Sequence, residues 1–350
     1  MNEKQLLLSS IATSISTYRF GEIPLPNVAH VEKWANQFSE ENIIPFLREF
    51  SLLIKSSFIL ESSMNEFLTK IIENEGLTKG NAVEFWNKSN FLQIQKKGQS
   101  QKEMLKLFGG YLKESYKINL SDCGSVSGDF IYLDDIIFTG QRVATDLEYW
   151  ITHSAPNNSI LHIIVIAYHT SGHYYLQETK LKSIIANSGK NIKINFWRAV
   201  VLENRKYYKD TSDVLWPNTI PDDEHTQSYM QKLRYPFEPR TNASSVGAAK
   251  LFSTPEGREV LETEFLRAGT KILSNVHSTS TFNKPLGCGQ FGLGFGSTIV
   301  TYRNCPNNTP LALWWGSINP TEGALDWYPL LPRKTYSSIE NIFNGIDFGL

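Results

Sequence analysis

The chain has 350 residues, 41% of them apolar and 12% aromatic, with a formal net charge of −1. That length gives about two or three domains, or one elaborated domain, and a sizeable core. The near-zero charge supplies no bulk electrostatic drive toward nucleic acid or a membrane surface. Cys123, Cys288 and Cys305 are widely spaced, show no metal-ligand spacing and fit a reducing compartment. Met1 to Leu8 carries no basic segment ahead of a long apolar one, so no secretory signal is read. The longest apolar run, Ile160 to Tyr168, is too short to span a bilayer. The expectation is a cytoplasmic protein with no membrane partner.

Residues 1–80 predict a helical N-terminal lobe. Val31, Trp34 and Phe38 recur at helical steps, as do Ile44, Leu47, Phe50 and Ile54, then Phe67, Ile71 and Ile72. Such a lobe covers a neighbouring sheet or docks a partner. Residues 81–205 alternate strand and helix. Phe91 to Ile94 reads as a short strand and Lys96 to Ser100 as a turn. Met104, Leu105, Phe108 and Leu112 then mark a helix face.

Phe130 to Leu133 is apolar enough to be buried on both faces, as parallel strands are. Asp134 and Asp135 follow at its carboxyl end, where open α/β sheets bind ligands. Thr139 and Gly140 then open a helix with Val143, Leu147, Trp150 and Ile151 on one side. A helix start of this kind presents backbone N–H groups to a phosphate. Ile160 to Tyr168 reads as one continuous strand. Leu181, Ile184 and Ile185 mark a helix stopped near Gly189, and Ile192 to Leu202 is a last strand. Repeated βα units predict a mostly parallel sheet.

Residues 206–245, with Pro217, Pro221, Pro236, Pro239 and an acidic run at Asp222 to Glu224, read as a long connection. Residues 246–350 read as an α+β extension. Ser253-Thr254-Pro255-Glu256 starts a helix, with a hydroxyl cap and an early proline. The glycine-rich stretch Gly287 to Gly296 lacks the Gly-Lys-Ser/Thr of a Walker loop and reads as a tight bend. Ser297 to Tyr302 and Leu311 to Trp315 read as two strands joined by Asn304 to Pro310. There is no internal repeat.

The segment Phe130 to Arg142 resembles the phosphoribosyl-diphosphate (PRPP) loop of type I phosphoribosyltransferases, an aliphatic strand followed by two acids, two apolar residues, a variable one and Thr-Gly. The resemblance implies an α/β fold with a parallel-sheet phosphoribosyltransferase-like core, here with a helical N-terminal lobe and an α+β C-terminal extension. It implies that Asp134 and Asp135 hold the ribose hydroxyls, and through the ribose and pyrophosphate a Mg²⁺ ion. Thr139, Gly140, Gln141 and Arg142 would take the 5′-phosphate. Lys97, Gly98, Gln99 and Ser100 match the place where the family receives pyrophosphate. Two departures stand out. Phe138 is where some purine-using members carry an Asp base, and Arg142 is where a Thr or Ser usually closes the loop. An Arg there offers its guanidinium fork to phosphate. More remotely the chain is similar to phosphoribosyltransferase-like effectors of bacterial conflict systems, some of which accompany retrons.

A competing pattern is the Tyr-x-Asp-Asp hairpin of reverse transcriptases, matched by Tyr132 to Asp135. It requires a return strand after the acids and a further carboxylate on a separate strand. His169 and His173 fall near the ligand edge of the sheet, His169 as a polar pocket wall. Arg198 falls inside the last strand, against a carboxylate. Cys288 is a weak nucleophile candidate because no His lies nearby in sequence. Two functions follow from the resemblance. One is phosphoribosyl transfer from PRPP, with Mg²⁺, to a nitrogen acceptor. The other is a non-catalytic sensor of a nucleotide or ribose phosphate, whose N-terminal lobe docks a protein or nucleoprotein partner.

Overall fold

The computed structural model describes residues 2–95, 99–276, 281–289, 291–319 and 326–333. The chain divides into two compact units, Ser62–Leu202 and Met1–Glu61 with Glu203–Leu350. Residues 62–80 of the helical preface thus belong to the α/β unit. Among the described residues no helix is long and apolar enough to cross a membrane.

The unit Ser62–Leu202 is built on a four-stranded parallel sheet: Asn90–Phe91, Phe130–Leu133, Asn158–Ile164 and Asn191–Trp197, adjacent in chain order. Ile131, Tyr132 and Leu133 are all fully buried, so both faces of that strand are covered, as its unbroken apolar run requires. Tyr132, Leu161 and Ile163 share one core with Val143, Leu147 and Trp150 of the helix Gln141–His153. Burial of each such side chain is worth about 1.5–3 kcal/mol. Phe108, from the helix Ser100–Tyr116, packs instead on Trp86 and Phe91.

The three longer strands break at one level. Each is interrupted for two residues, Asp134–Asp135, Val165–Ile166 and Arg198–Ala199. Each then resumes, as Ile136–Ile137, Ala167–His169 and Val200–Leu202. The resumed segments pair parallel in the same order, and register is kept: Leu133 faces Ile164 before the step and Ile136 faces Ala167 after it. Backbone bonds still cross the interruption. Asp134 N donates to Ile164 O at 3.1 Å and Ile166 N to Asp135 O at 2.9 Å, while Ala199 N and Val200 N share Ile166 O. Ile160 to Tyr168 is therefore not the single strand its composition suggests. The acids sit inside a stepped strand rather than at its end. The segment after them runs parallel to its neighbour and leads into a helix, which excludes the polymerase-type hairpin.

The other unit packs Trp34, Phe46 and Phe50 against Phe265 of the helix Pro255–Ser274. Thr254 caps that helix, its Oγ1 accepting from Gly257 N at 3.0 Å, with Pro255 in the first turn. Phe58–Ile59 and Val300–Thr301 form a two-stranded parallel pair. Within 206–245 lies a helix, Glu224–Gln231, capped by Asp223. Leu311–Trp314 is helical, not a strand. Leu311, Ala312 and Leu313 are buried all round, and a short apolar run without periodicity fits either element. The glycine-rich stretch is a structural bend. Leu286 N bonds Leu293 O, and Gly296 N bonds Leu286 O.

Candidate functional site

The strand Phe130–Leu133 delivers Asp134 and Asp135 into the step with different surroundings. Asp134 is 4% exposed, while Asp135 is half-buried. Asp134 Oδ1 accepts from Ser100 Oγ at 2.7 Å and from Asp135 N at 2.9 Å. Asp135 Oδ1 accepts from Ile136 N at 2.7 Å, which turns its carboxylate back over the resumed strand. Asp134 is thus drawn inward to the start of the helix Ser100–Tyr116, and Asp135 is the acid nearer the surface. Ser100 joins the acids directly. Gln99 is exposed beside it, and Lys97 and Gly98 lie outside the described residues.

Burial, and next the charge of Asp135, push the Asp134 carboxyl up to about 7, against the opposing effects of the Ser100 bond, the Asp135 amide and the Arg142 charge. In the unfolded chain the group titrates near 3.8. Below that value both states hold the proton and nothing is lost. As pH rises from about 4 to about 7 the unfolded chain ionises first, so folding stability falls. Asp134→Asn keeps the oxygen that Ser100 and Asp135 N reach and cannot ionise. Its stability advantage over the unsubstituted protein is expected to be absent near pH 4 and to grow to a few kcal/mol, on the order of 1.4 per pH unit, by about pH 7. Denaturant melts of both proteins across this range measure it; a difference independent of pH would refute the assignment.

Beyond the acids the chain forms the turn expected of a phosphate loop. Gly140 stands at the cap of the helix Gln141–His153 with φ +74° and brings no side chain to its first-turn amides. Thr139 Oγ1 reaches Gln141 N only at 3.4 Å. Gln141 and Arg142 are exposed. First-turn amides without a side-chain cap, with Arg142 next to them, favour an anion.

The turn rests on a helix whose last part was expected from Leu181, Ile184 and Ile185 and whose start, from Thr170, was not. Thr170–Tyr174, the π-helical Tyr175–Leu181 and Lys182–Ser188 run as one continuous helix. A Cβ on Gly172 would sit 1.8 Å from Phe138 O, and one on Gly140 would sit 2.6 Å from Gly172 O. Tyr175 Oη donates to Gln141 Oε1 at 2.6 Å. π-helical segments are rare and recur at functional sites. No composition signal marks this one, although Gly172 three residues past a buried strand hints at close approach.

The other candidates resolve as follows. His169 is fully buried, with Nδ1 at 3.2 Å from Ile137 O and its ring stacked on Phe138. Burial lowers it to about 4, so it supports the loop as a neutral ring. His173 stacks on Tyr168 instead. Arg198 is exposed in the strand step, over the Tyr168 ring at 5.7 Å, not buried against a carboxylate. Burial pushes the Cys288 thiol up to about 11, which leaves it a poor nucleophile. A 310 Å³ cleft lies in the other unit, lined by Ile23, Leu25, His30, Lys33 and Tyr328, and carries no acid pair.

No curated protein matches the chain. A model of the PRTase-CE family matches residues 31–333. With that match over most of its length and a parallel α/β core carrying the paired acids and the glycine-capped helix, the chain belongs to the PRTase-CE family, a phosphoribosyltransferase-like family.

Proposed function

We propose that the chain binds PRPP or a related ribose phosphate and transfers the phosphoribosyl group to a nitrogen acceptor. One observation carries this reading: two carboxylates occupy a strand step five residues ahead of a helix start capped by glycine. Asp135 is the acid placed to accept from a ribose hydroxyl, and Asp134, held by Ser100, completes the pair. The turn Thr139 to Arg142 receives the 5′-phosphate. In the transfer the C1–oxygen bond to pyrophosphate breaks with its electron pair leaving on pyrophosphate, the C1–nitrogen bond forms, and the acceptor nitrogen loses its proton to solvent or a base. Charge stabilisation at the leaving group is the main demand on the site.

Among the described residues no group of three or more His, Cys, Asp or Glu could hold a metal. Mg²⁺ is commonly held by one or two carboxylates together with substrate phosphates, and Asp134 and Asp135 offer that partial set. When bound, the ion would neutralise pyrophosphate charge. The proposal extends to the setting, a bacterial anti-phage defence effector, supported by the resemblance of the acid–Thr-Gly-Gln segment and the helical preface.

Isothermal titration with PRPP and Mg²⁺ is the test. The protein should bind, and Asp135→Asn should weaken binding about ten-fold or more, as loss of a charge-assisted hydrogen bond implies. No binding by the unsubstituted protein, or equal binding by the variant, would sink the reading. A sensing role without turnover is the second reading, favoured by Phe138 in place of a carboxylate base. Pyrophosphate release with any base acceptor would contradict it.

A further inference from the structure

Ile94 and Gln95 are joined to the start of the helix Ser100–Tyr116 by a pair of glutamines. Gln101 Oε1 accepts from Ile94 N at 2.8 Å and from Gln95 N at 3.0 Å. In return Gln95 Oε1 accepts from Gln101 N at 3.2 Å, and Gln95 Nε2 donates to Ser100 Oγ at 3.2 Å. Ser100 passes the chain on to Asp134. Every donor and acceptor direction in this relay is fixed. A flip of the Gln101 amide would aim its NH₂ at two backbone N–H groups, so its oxygen and nitrogen cannot be interchanged.

One atom is left over. Gln101 is 0% exposed, and its Nε2 has no hydrogen-bond partner. A buried amide donor without an acceptor costs about 1–3 kcal/mol. The other buried side-chain atoms without partners include hydroxyls such as those of Ser57, Ser159 and Thr298, which can swivel. The Gln101 nitrogen cannot, because its own oxygen is pinned. Gln101 follows Ser100 in the chain, and Ser100 is the residue that bonds Asp134.

We propose that Gln101 is a ligand-binding residue whose Nε2–H donates to an anionic oxygen at the diphosphate end of the ligand. The inference rests on the ribose-phosphate reading above and adds a residue to it. A diphosphate oxygen supplies the acceptor that the fold withholds, and a charged acceptor makes the stronger bond. Gln95 is then a positioning residue that sets both Gln101 and Ser100.

Gln101→Glu removes the donor and sets an anionic oxygen in its place. It keeps an oxygen for Ile94 N and Gln95 N and replaces only the NH₂. Titrations with PRPP, inorganic pyrophosphate and ribose 5-phosphate, each with Mg²⁺, should separate. Affinity for PRPP and pyrophosphate should fall about ten- to a hundred-fold, with ribose 5-phosphate unchanged within about two-fold, which also shows that the variant is folded. Gln101→Asn, which withdraws the amide by one methylene, should give the same split and serves if the Glu variant does not fold. Equal losses for all three ligands, or none, overturn the assignment of Gln101 alone. Failure of the unsubstituted protein to bind any of the three overturns the ribose-phosphate reading and this inference with it.

Discussion

Gly172→Ala is expected to unfold the turn Phe138 to Gly140 and to remove the proposed ribose-phosphate binding, although it adds one methyl group. The new Cβ would lie 1.8 Å from Phe138 O, 2.8 Å from Phe138 C and 3.1 Å from Thr139 C. All three are backbone atoms, so no side chain can swing aside. The helix start at Thr170 must retreat or the turn Phe138 to Gly140 must lift. The second course also breaks the seat of Gly140, whose own Cβ position is 2.6 Å from Gly172 O. Overpacking of this kind costs about 3 kcal/mol or more. Gly110→Ala is the control. It lies in the helix Ser100–Tyr116 with nothing within 4 Å of its Cβ position, and should stabilise by about 0.5–1 kcal/mol. Urea melts of the two variants should move in opposite directions. If both move together, Gly172 does not clamp the turn.

The second large effect is expected at Glu262, which belongs to the other unit. Arg240 and Arg258 have side chains with no exposed surface, and both lean on this carboxylate, at 2.9 Å and 2.8 Å. Trp216 N donates to it as well, at 2.9 Å. The guanidiniums are also tied to backbone carbonyls, Arg258 to Val214 O and Arg240 to Trp216 O. The triad therefore fastens the connection 214–242 to the helix Pro255–Ser274. Burial pushes the Arg258 guanidinium down from its ordinary value, and Glu262 is the first group opposing that. Glu262→Gln keeps the shape and leaves two buried cations without the shared counter-charge. The loss should be about 3–5 kcal/mol, the usual range for removing one member of a buried ion group. Equilibrium denaturation measures it, and a change under about 1 kcal/mol would show that nearby groups such as Asp213 suffice.

The parts of the fold that the sequence discloses are those written as side-chain pattern. The apolar run Phe130 to Leu133, the helix stripe Val143, Leu147 and Trp150, and the Thr254–Pro255 start all reappear as elements. The parts it hides are written in backbone hydrogen bonding. Val165 and Ile166 are as apolar and as buried as their neighbours, so nothing in composition marks the step between them. The π-helical turn Tyr175 to Leu181 has an ordinary helical composition. Gln95 and Gln101 look like solvated residues, and only the folded chain shows Gln101 buried and bonded to Ile94 and Gln95. The acids and the Thr-Gly turn were legible because they stand in a fixed local order of particular side chains, an apolar run, two carboxylates and Thr-Gly. Their supports, Ser100 excepted, were not, because backbone contacts such as Gly172 on Phe138 leave no periodic trace.

Three neighbouring strands that step together share one frame. An inserted residue in any one of them would put its far segment out of phase with both partners and turn its side chains to the opposite side. Length variation among homologous chains should therefore collect beyond the clamped turn, in the connections at 154–157 and 189–190, and spare the strands. The two carboxylates inherit their placement from a lockstep in which most participants never meet a ligand.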